Sequence, residues 1–377
     1  MLTLSVVLGA LIAPLGGASD PLPAPTGPSA VGTRVLFLVD RTRPAPRGEG
    51  AGRPVVVQLW YPAVAGSGKG AAPYAIDPSL IDLLVDQGYY GQKAELIESW
   101  RAIETHARLE AELAQGPLPV LLLSHGLGLS RASYTALAVE LASHGYAVAA
   151  IDHPCGGATL LEDGSVLTTG DDPELEAHWE ERGMEWVADF GFVLDELAHR
   201  FDDGQLALER VGVLGHSMGG AAALAAGGRV GRIAACADLD GAPFARTERE
   251  GLARPSLFVK SEPDYSDAEL AAKGRTRPEG PRTGPWEAIT AHGTAPCVYV
   301  GFHGTGHMSF SDAPFLMPDT ITRFGGKIVP FERAHALLAR LLLAFFDVHL
   351  RAAPESELLA LDAEEELELF ALSPAPR

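Results

Sequence analysis

The sequence predicts an α/β fold: a mostly parallel sheet with helices on both faces, preceded by an antiparallel hairpin and a helical insertion. Three observations predict it. From residue 118 onward, apolar runs of strand length alternate with helical patterns, and strands buried on both faces read as such continuous runs. Ahead of them, "TRVLFLVD" and "RPVVVQLWYPA" are joined by a Pro/Gly/Arg loop over residues 43–53, which reads as a hairpin. The length, 377 residues that are 47% hydrophobic, suits one large domain with additions.

The elements follow in order. Residues 1–19 hold an apolar run that ends in small residues, the pattern of a secretory leader. It departs from that pattern in having no Lys or Arg before the apolar run. A Pro-rich linker covers 20–31 and the main domain 32–352. Residues 77–113 read as a helical insertion. Asp77-Pro78 starts it, Gly88 interrupts it, and Leu96, Trp100, Ile103 and Ala107 form one apolar face. Core packing accounts for that face; the alternative is a pocket rim or a peripheral lipid contact. "LPVLLLSHG" is a strand and "RASYTALAVELASHG" a helix closed by Gly145. "YAVAAID" is a strand, 153–180 a loop, and "EWVADFGFVLDELAHRF" a helix. "RVGVLG", "RIAACADLDG", "RPSLFVKSE" and "APCVYVGF" are strands, with a small-residue helix after the first and a polar loop over 263–285. "FERAHALLARLLLAFFDVHLR" is a long helix. An acidic tail, 353–377, packs one apolar stripe or stays loose. No later run is long and apolar enough to span a bilayer.

Composition excludes some functions. The chain has 49 acidic and 29 basic residues, net −20, so polyanions such as nucleic acid are poor partners. Its cysteines, Cys155, Cys236 and Cys297, have no metal-site spacing, and their odd number argues against a disulfide framework. Cys236 and Cys297 fall in apolar runs and read as core thiols.

The chemistry is carried by "RVGVLGHSMGGAAALAAGG". A G-x-S-x-G motif is common by chance, but here it directly follows a strand and opens a helix. Ser217 then sits on a sharp turn that only tiny neighbours permit, supplied by Gly215, Gly219, Gly220 and Ala221. A serine hydroxyl needs a base. His307, in the Gly-containing loop after "CVYVGF", fits that role, with His303 as its competitor. The orienting acid belongs at the tip of the strand after the serine helix, where "ACADLDG" offers Asp240 and, deeper and more structural, Asp238. The order Ser217…Asp240…His307 is that of the α/β-hydrolase fold. An anion hole needs two backbone N–H donors. Met218, after the nucleophile, supplies one and Leu127, in "SHGLG", the other; His125 shapes that turn. The pair His303 and His307 lacks a third metal ligand, so neither metal nor cofactor is expected.

These segments, "SHGLGLSRASYTALAVELASHGYAVAAIDH", "GHSMGGAAAL", "LDGAPF" and "HMSFSD", resemble the plasma-type platelet-activating factor acetylhydrolases. The likeness runs from "VQLWYPA" to the His307 loop. It implies a calcium-independent serine esterase or phospholipase A2 of the α/β-hydrolase fold, with Ser217 as nucleophile, His307 as base, Asp240 as orienter, and Leu127 and Met218 as the anion hole. The short step from Ser217 to Asp240 is similar in that family and more specific than the elbow itself. The leader predicts a secreted or periplasmic protein, and the expected substrates are short-acyl esters or phospholipids like platelet-activating factor. Two rivals stand beside it: a cutinase-like polyester hydrolase, and a hydrolase scaffold that binds without catalysing.

Overall fold

The computed structural model describes residues 21–374, apart from 47, 49, 51, 78, 87–93, 173, 176, 264–269, 271–282 and 318–328. The leader and Gly88 lie outside these residues, as does most of the 263–285 loop. Eleven strands form one sheet. In chain order the strands are β1 (Ala30–Asp40), β2 (Arg53–Ala63), β3 (Ala71–Pro73), β4 (Glu104–Leu109), β5 (Leu118–Ser124) and β6 (Ala147–Asp152). A small separate hairpin, β7 (Thr159–Leu160) and β8 (Val166–Leu167), follows. Then come β9 (Leu206–His216), β10 (Ile233–Leu239), β11 (Ser256–Glu262), β12 (Cys297–His303) and β13 (Leu367–Leu372). Across the sheet the order is β13-β12-β11-β10-β9-β5-β6-β2-β1-β4-β3.

The block from β6 to β12 is parallel. Its strands are buried on both sides because alternate residues enter different cores. Val120 and Leu122 of β5 pack against the helices Trp179–Arg200 and Met218–Ala226. Leu121 and Leu123 face the opposite core, which holds the helices Thr135–Ser143 and Phe331–Arg351. The latter buries Ala334, Leu337, Leu338, Leu341, Leu342, Phe345 and Phe346, a stripe at helical spacing. The hairpin β1–β2 is antiparallel, with Leu36 opposite Val57.

Chain order reverses between β5 and β9. From β5 the chain moves outward to β6, then returns to lay β9 on the other side of β5 and continues to β10, β11 and β12. Such a switch point leaves a crevice beyond the C-terminal strand ends, because the two flanking loops turn away from each other.

Three segments differ from the sequence expectation. Residues 77–113 are not one helical insertion. Two short helices, Ser79–Asp86 and Ala94–Arg101, are followed by β4, whose Thr105 and Ala107 are buried while Glu104 and His106 are exposed. Trp100, Ile103 and Ala107 fit helical spacing, yet Ala107 also fits a period of two, and pairing with β1 decides. Residues 21–29 are not a free linker: Leu22 is buried, and Ser29 N–H donates to the Ser143 carbonyl at 3.0 Å. The acidic tail ends in β13, antiparallel to β12. Its exposed Glu368 suits an edge strand, where charge discourages further pairing.

Candidate active site

Ser217 follows β9 directly and precedes the helix Met218–Ala226. Its backbone is in the left-handed region, φ 56° and ψ −121°, where a residue with a Cβ is strained. The turn is held by Ser217 N–H, which donates to the Leu239 carbonyl on β10 at 3.0 Å. The glycines around it are required by close approach. A Cβ on Gly219 would run into the Ser124 and His125 carbonyl oxygens, and one on Gly220 into the Asp238 carboxylate. The elbow is therefore wedged between the ends of β5 and β10.

The loop after β5 lies against it. A Cβ on Gly126 would stand 3.4 Å from Ser217 Cβ. Leu127, next in that loop, is half-buried, and Met218 begins the helix with its side chain buried. The two backbone donors expected for an anion hole thus sit on the loop after β5 and at the first position of the helix after the serine. The helix N-terminus adds the positive end of its dipole on the same side.

Asp240 and His307 meet. His307 Nδ1–H donates to Asp240 Oδ2 at 2.7 Å. This bond fixes the imidazole tautomer and leaves Nε2 as the free nitrogen when the ring is neutral. His307 is about half exposed and Asp240 almost wholly buried. Asp240 also has a positive φ, 58°, as expected of a residue turned back over a strand end. Burial pushes its carboxyl up, but hydrogen bonds from His307, Lys260 and Ser261 outweigh that and bring it down to about 2. Asp238 is fully buried beneath, with Oδ1 accepting from Gly241 N–H at 2.7 Å. Burial raises its carboxyl well above the ordinary range. His303 points elsewhere: half exposed, it lies 3.5 Å from Glu368 of β13. The geometry joins Asp240 to His307 and sets the His307 loop against the elbow through His216, while His303 faces Glu368 and Asp238 lies beneath on Gly241 N–H.

Sequence reasoning missed the groups that hold these parts in register. His216, before the serine, is fully buried. Burial, then the neighbouring His307, pushes its imidazole down to about 3, so it is neutral. Its Nε2 lies 2.9 Å from the His307 carbonyl, which can only accept, so Nε2 carries the hydrogen. Nδ1 must then accept, and the Tyr134 hydroxyl donates to it at 2.8 Å. The Tyr134 oxygen in turn accepts from Gly126 N–H at 2.9 Å. Every donor direction in this chain is forced, and it ties the His307 loop, the elbow and the loop after β5 together. We predict that Tyr134→Phe lowers kcat roughly tenfold or more while KM changes less than about twofold, because the buried Gly126 N–H loses its acceptor next to the site. Steady-state kinetics on p-nitrophenyl acetate measure this. An unchanged kcat would remove Tyr134 from the account.

A second buried constellation, Ser124–His153–Asp189, has the connectivity of a catalytic triad without the access. Ser124 Oγ lies 2.9 Å from His153 Nε2, and His153 Nδ1 lies 2.8 Å from Asp189 Oδ2. All three side chains are fully buried, and the His153 ring stacks on Trp186 with centroids 4.3 Å apart. Burial drives His153 down to about 4. Arg53 forms two bonds to Asp189, at 2.8 and 2.9 Å. His153 N–H donates to His125 Nε2 at 3.2 Å. These contacts make His125 a structural residue of the loop after β5. Among the described residues no cluster of His, Cys, Asp or Glu could hold a metal ion, and the Cys155, Cys236 and Cys297 side chains are buried.

Known proteins are similar to this chain over most of its length. The profile of the family described as platelet-activating factor acetylhydrolase, isoform II, matches residues 56–163 and 187–359. A serine aminopeptidase S33 profile matches 115–245. The platelet-activating factor acetylhydrolase of Canis lupus familiaris is 31% identical over 157 residues, 33% of this chain and 35% of that protein. That of Gallus gallus is 25% identical over 386 residues, 87% of this chain and 83% of that one. The chain thus covers about a third of the length of the first curated relatives it matches. A ferulic acid esterase from Streptomyces cinnamoneus superposes with a TM-score of 0.76 at 30% identity, over 93% of this chain and 98% of the other. The fold is that of the α/β-hydrolases, and the chain belongs to the platelet-activating factor acetylhydrolase, isoform II, family.

Proposed function

We propose that the chain hydrolyses carboxylic esters through an acyl-enzyme. Ser217 Oγ attacks the ester carbonyl while His307 Nε2 takes its proton, and Asp240 steadies the imidazolium through Nδ1–H. The N–H groups of Leu127 and Met218 hold the oxyanion. The imidazolium then gives its proton to the departing alcohol. A water molecule attacks the acyl group, with His307 again as base, and returns Ser217 and a carboxylic acid. The observation that carries this reading is the 2.7 Å bond from His307 to Asp240, which stands at the end of β10 beside the strained Ser217 elbow. The steps use this chain's own side chains and backbone.

The substrates we infer are short-acyl esters, with an acetyl group on a platelet-activating-factor-like phospholipid as the leading example. The names of the curated relatives support it. A second reading takes its support from the nearly full-length likeness to a ferulic acid esterase: hydrolysis of a hydroxycinnamate ester. The apolar leader supports export to the periplasm or outside the cell, and among the described residues no helix is long and apolar enough to cross a membrane.

The test is turnover by the purified protein of p-nitrophenyl esters from acetate to octanoate, of 1-alkyl-2-acetyl-glycerophosphocholine, and of methyl ferulate. The main reading expects acetate to be the fastest p-nitrophenyl ester and the acetyl phospholipid to be cleaved. Preference for methyl ferulate would favour the second reading. No turnover of any of them would refute both.

A further inference from the structure

We propose that Lys260 is an electrostatic positioning residue of this site: through Asp240, its ammonium sets the pH at which the enzyme loses activity on the acid side. This rests on the assignment of Ser217, Asp240 and His307 given above. Lys260 lies on β11, the strand between those that lead to Asp240 and to His307. Its Nζ donates to Asp240 Oδ1. The next residue, Ser261, donates twice, from its backbone N–H to Oδ1 at 3.2 Å and from its hydroxyl to Oδ2 at 2.7 Å. His307 Nδ1–H takes the other place on Oδ2.

Each carboxylate oxygen thus has two donors, and Lys260 and His307 use different oxygens. Lys260 does not compete with the imidazole for its partner. Nor is it needed to aim the carboxylate, because Ser261 grips both oxygens. What Lys260 adds is a positive charge on the far side of the acid that faces the base. A cation there makes a second positive charge, on the imidazole, harder to place, and so opposes protonation of the base as pH falls. The ammonium is about one-third exposed, so water and salt screen it and the effect is modest.

The other titratable groups around the pair do not do this work. The His216 ring, 4.5 Å from that of His307 by centroids, is buried and neutral. Asp238, beneath Asp240 on β10, is held towards its neutral form by burial. At the strand ends, Glu262 lies in register with His303, and His303 faces Glu368. Asp312, beyond the His307 loop, is buried on the backbone N–H groups of Thr135 and Ala136. Among the described residues Lys260 is the cation seen to touch the Asp240 carboxylate.

The experiment is the pH profile of kcat/KM on p-nitrophenyl acetate from pH 4.5 to 9, read at the isosbestic wavelength, for the full chain and for Lys260→Met, Lys260→Arg and Ser217→Ala. The expected result is that the acidic limb of Lys260→Met moves up by about half to one pH unit. On the limb at pH 5 that is a further loss of about three- to tenfold beyond that of wild type, each rate being normalised to its own plateau. Lys260→Arg keeps the wild-type limb, and the gap between wild type and Lys260→Met narrows in 1 M salt. Superimposed limbs for wild type and Lys260→Met overturn the proposal. So does a Lys260→Arg limb displaced as far as that of Lys260→Met, or a loss that is uniform across pH, since either makes the residue a mere structural prop. Full activity in Ser217→Ala would overturn the proposal together with the site assignment beneath it.

Discussion

Ser217→Ala lowers kcat for ester hydrolysis by roughly 10⁴- to 10⁶-fold and leaves KM within a few-fold. The size follows from how the site is divided. Without the hydroxyl no acyl-enzyme forms, and His307 has no proton to take. The residual rate comes from the anion hole and from substrate binding, which the variant keeps. Folding is preserved, because alanine at φ 56° carries the same strain as serine. The Ser217 bond that holds the turn is made by its backbone N–H to the Leu239 carbonyl, so the elbow stays in place. A variant that melts within a few degrees of wild type yet keeps more than a tenth of its kcat would show that another group does the chemistry.

Asp240→Asn is the second large effect, a fall in kcat of about 10³- to 10⁴-fold. Lys260 and the Ser261 backbone N–H can only donate and both meet the Oδ1 position, so the single amide oxygen takes that place, and the Ser261 hydroxyl, on the Oδ2 side, can turn to accept. The amide nitrogen then faces His307 Nδ1 and donates to it. The imidazole is forced into the tautomer with its hydrogen on Nε2, where the base must instead be free. Asp238→Asn, two residues away, keeps the acceptor for Gly241 N–H and changes a group already held near its neutral form. Its kcat should stay within about tenfold of wild type. Parallel measurement of kcat/KM for the two variants separates the carboxylates. If Asp238→Asn were the crippled enzyme, the assignment would be reversed.

Much of this site was legible in the sequence because it is built at strand ends. An apolar run that stops at a glycine marks where a parallel strand delivers its next side chain to the crevice; Ser217 and Asp240 stand at such points, and His307 in the loop beyond one. The choice of Asp240 over Asp238 followed from depth along one strand, and that of His307 over His303 from the loop beyond the strand. Contacts between strands distant in sequence left no such mark. Lys260 reads as one charged residue near a strand end, and nothing in "LFVKSE" says that its amine and the next hydroxyl close on an aspartate twenty residues earlier. Tyr134 and His216 are linked over 82 residues by one hydrogen bond. The fold showed the same division. Long buried strands and the Phe331–Arg351 helix were readable from their period. β4 and β13, short and at the sheet's margins, carry mixed polar residues because one face meets water, and pairing rather than pattern decides them.

The most direct measurement is to treat the full chain with diethyl p-nitrophenyl phosphate and locate the adduct by peptide mass spectrometry. A phosphoryl transfer to an activated serine releases p-nitrophenolate and leaves a diethylphosphoryl group on Oγ. The account predicts one equivalent of p-nitrophenolate, one adduct on the peptide containing Ser217, loss of esterase activity in step with labelling, and no adduct in Ser217→Ala. No adduct on an enzyme that turns over esters, or an adduct on another residue such as Ser124 with Ser217 unmodified, would contradict it.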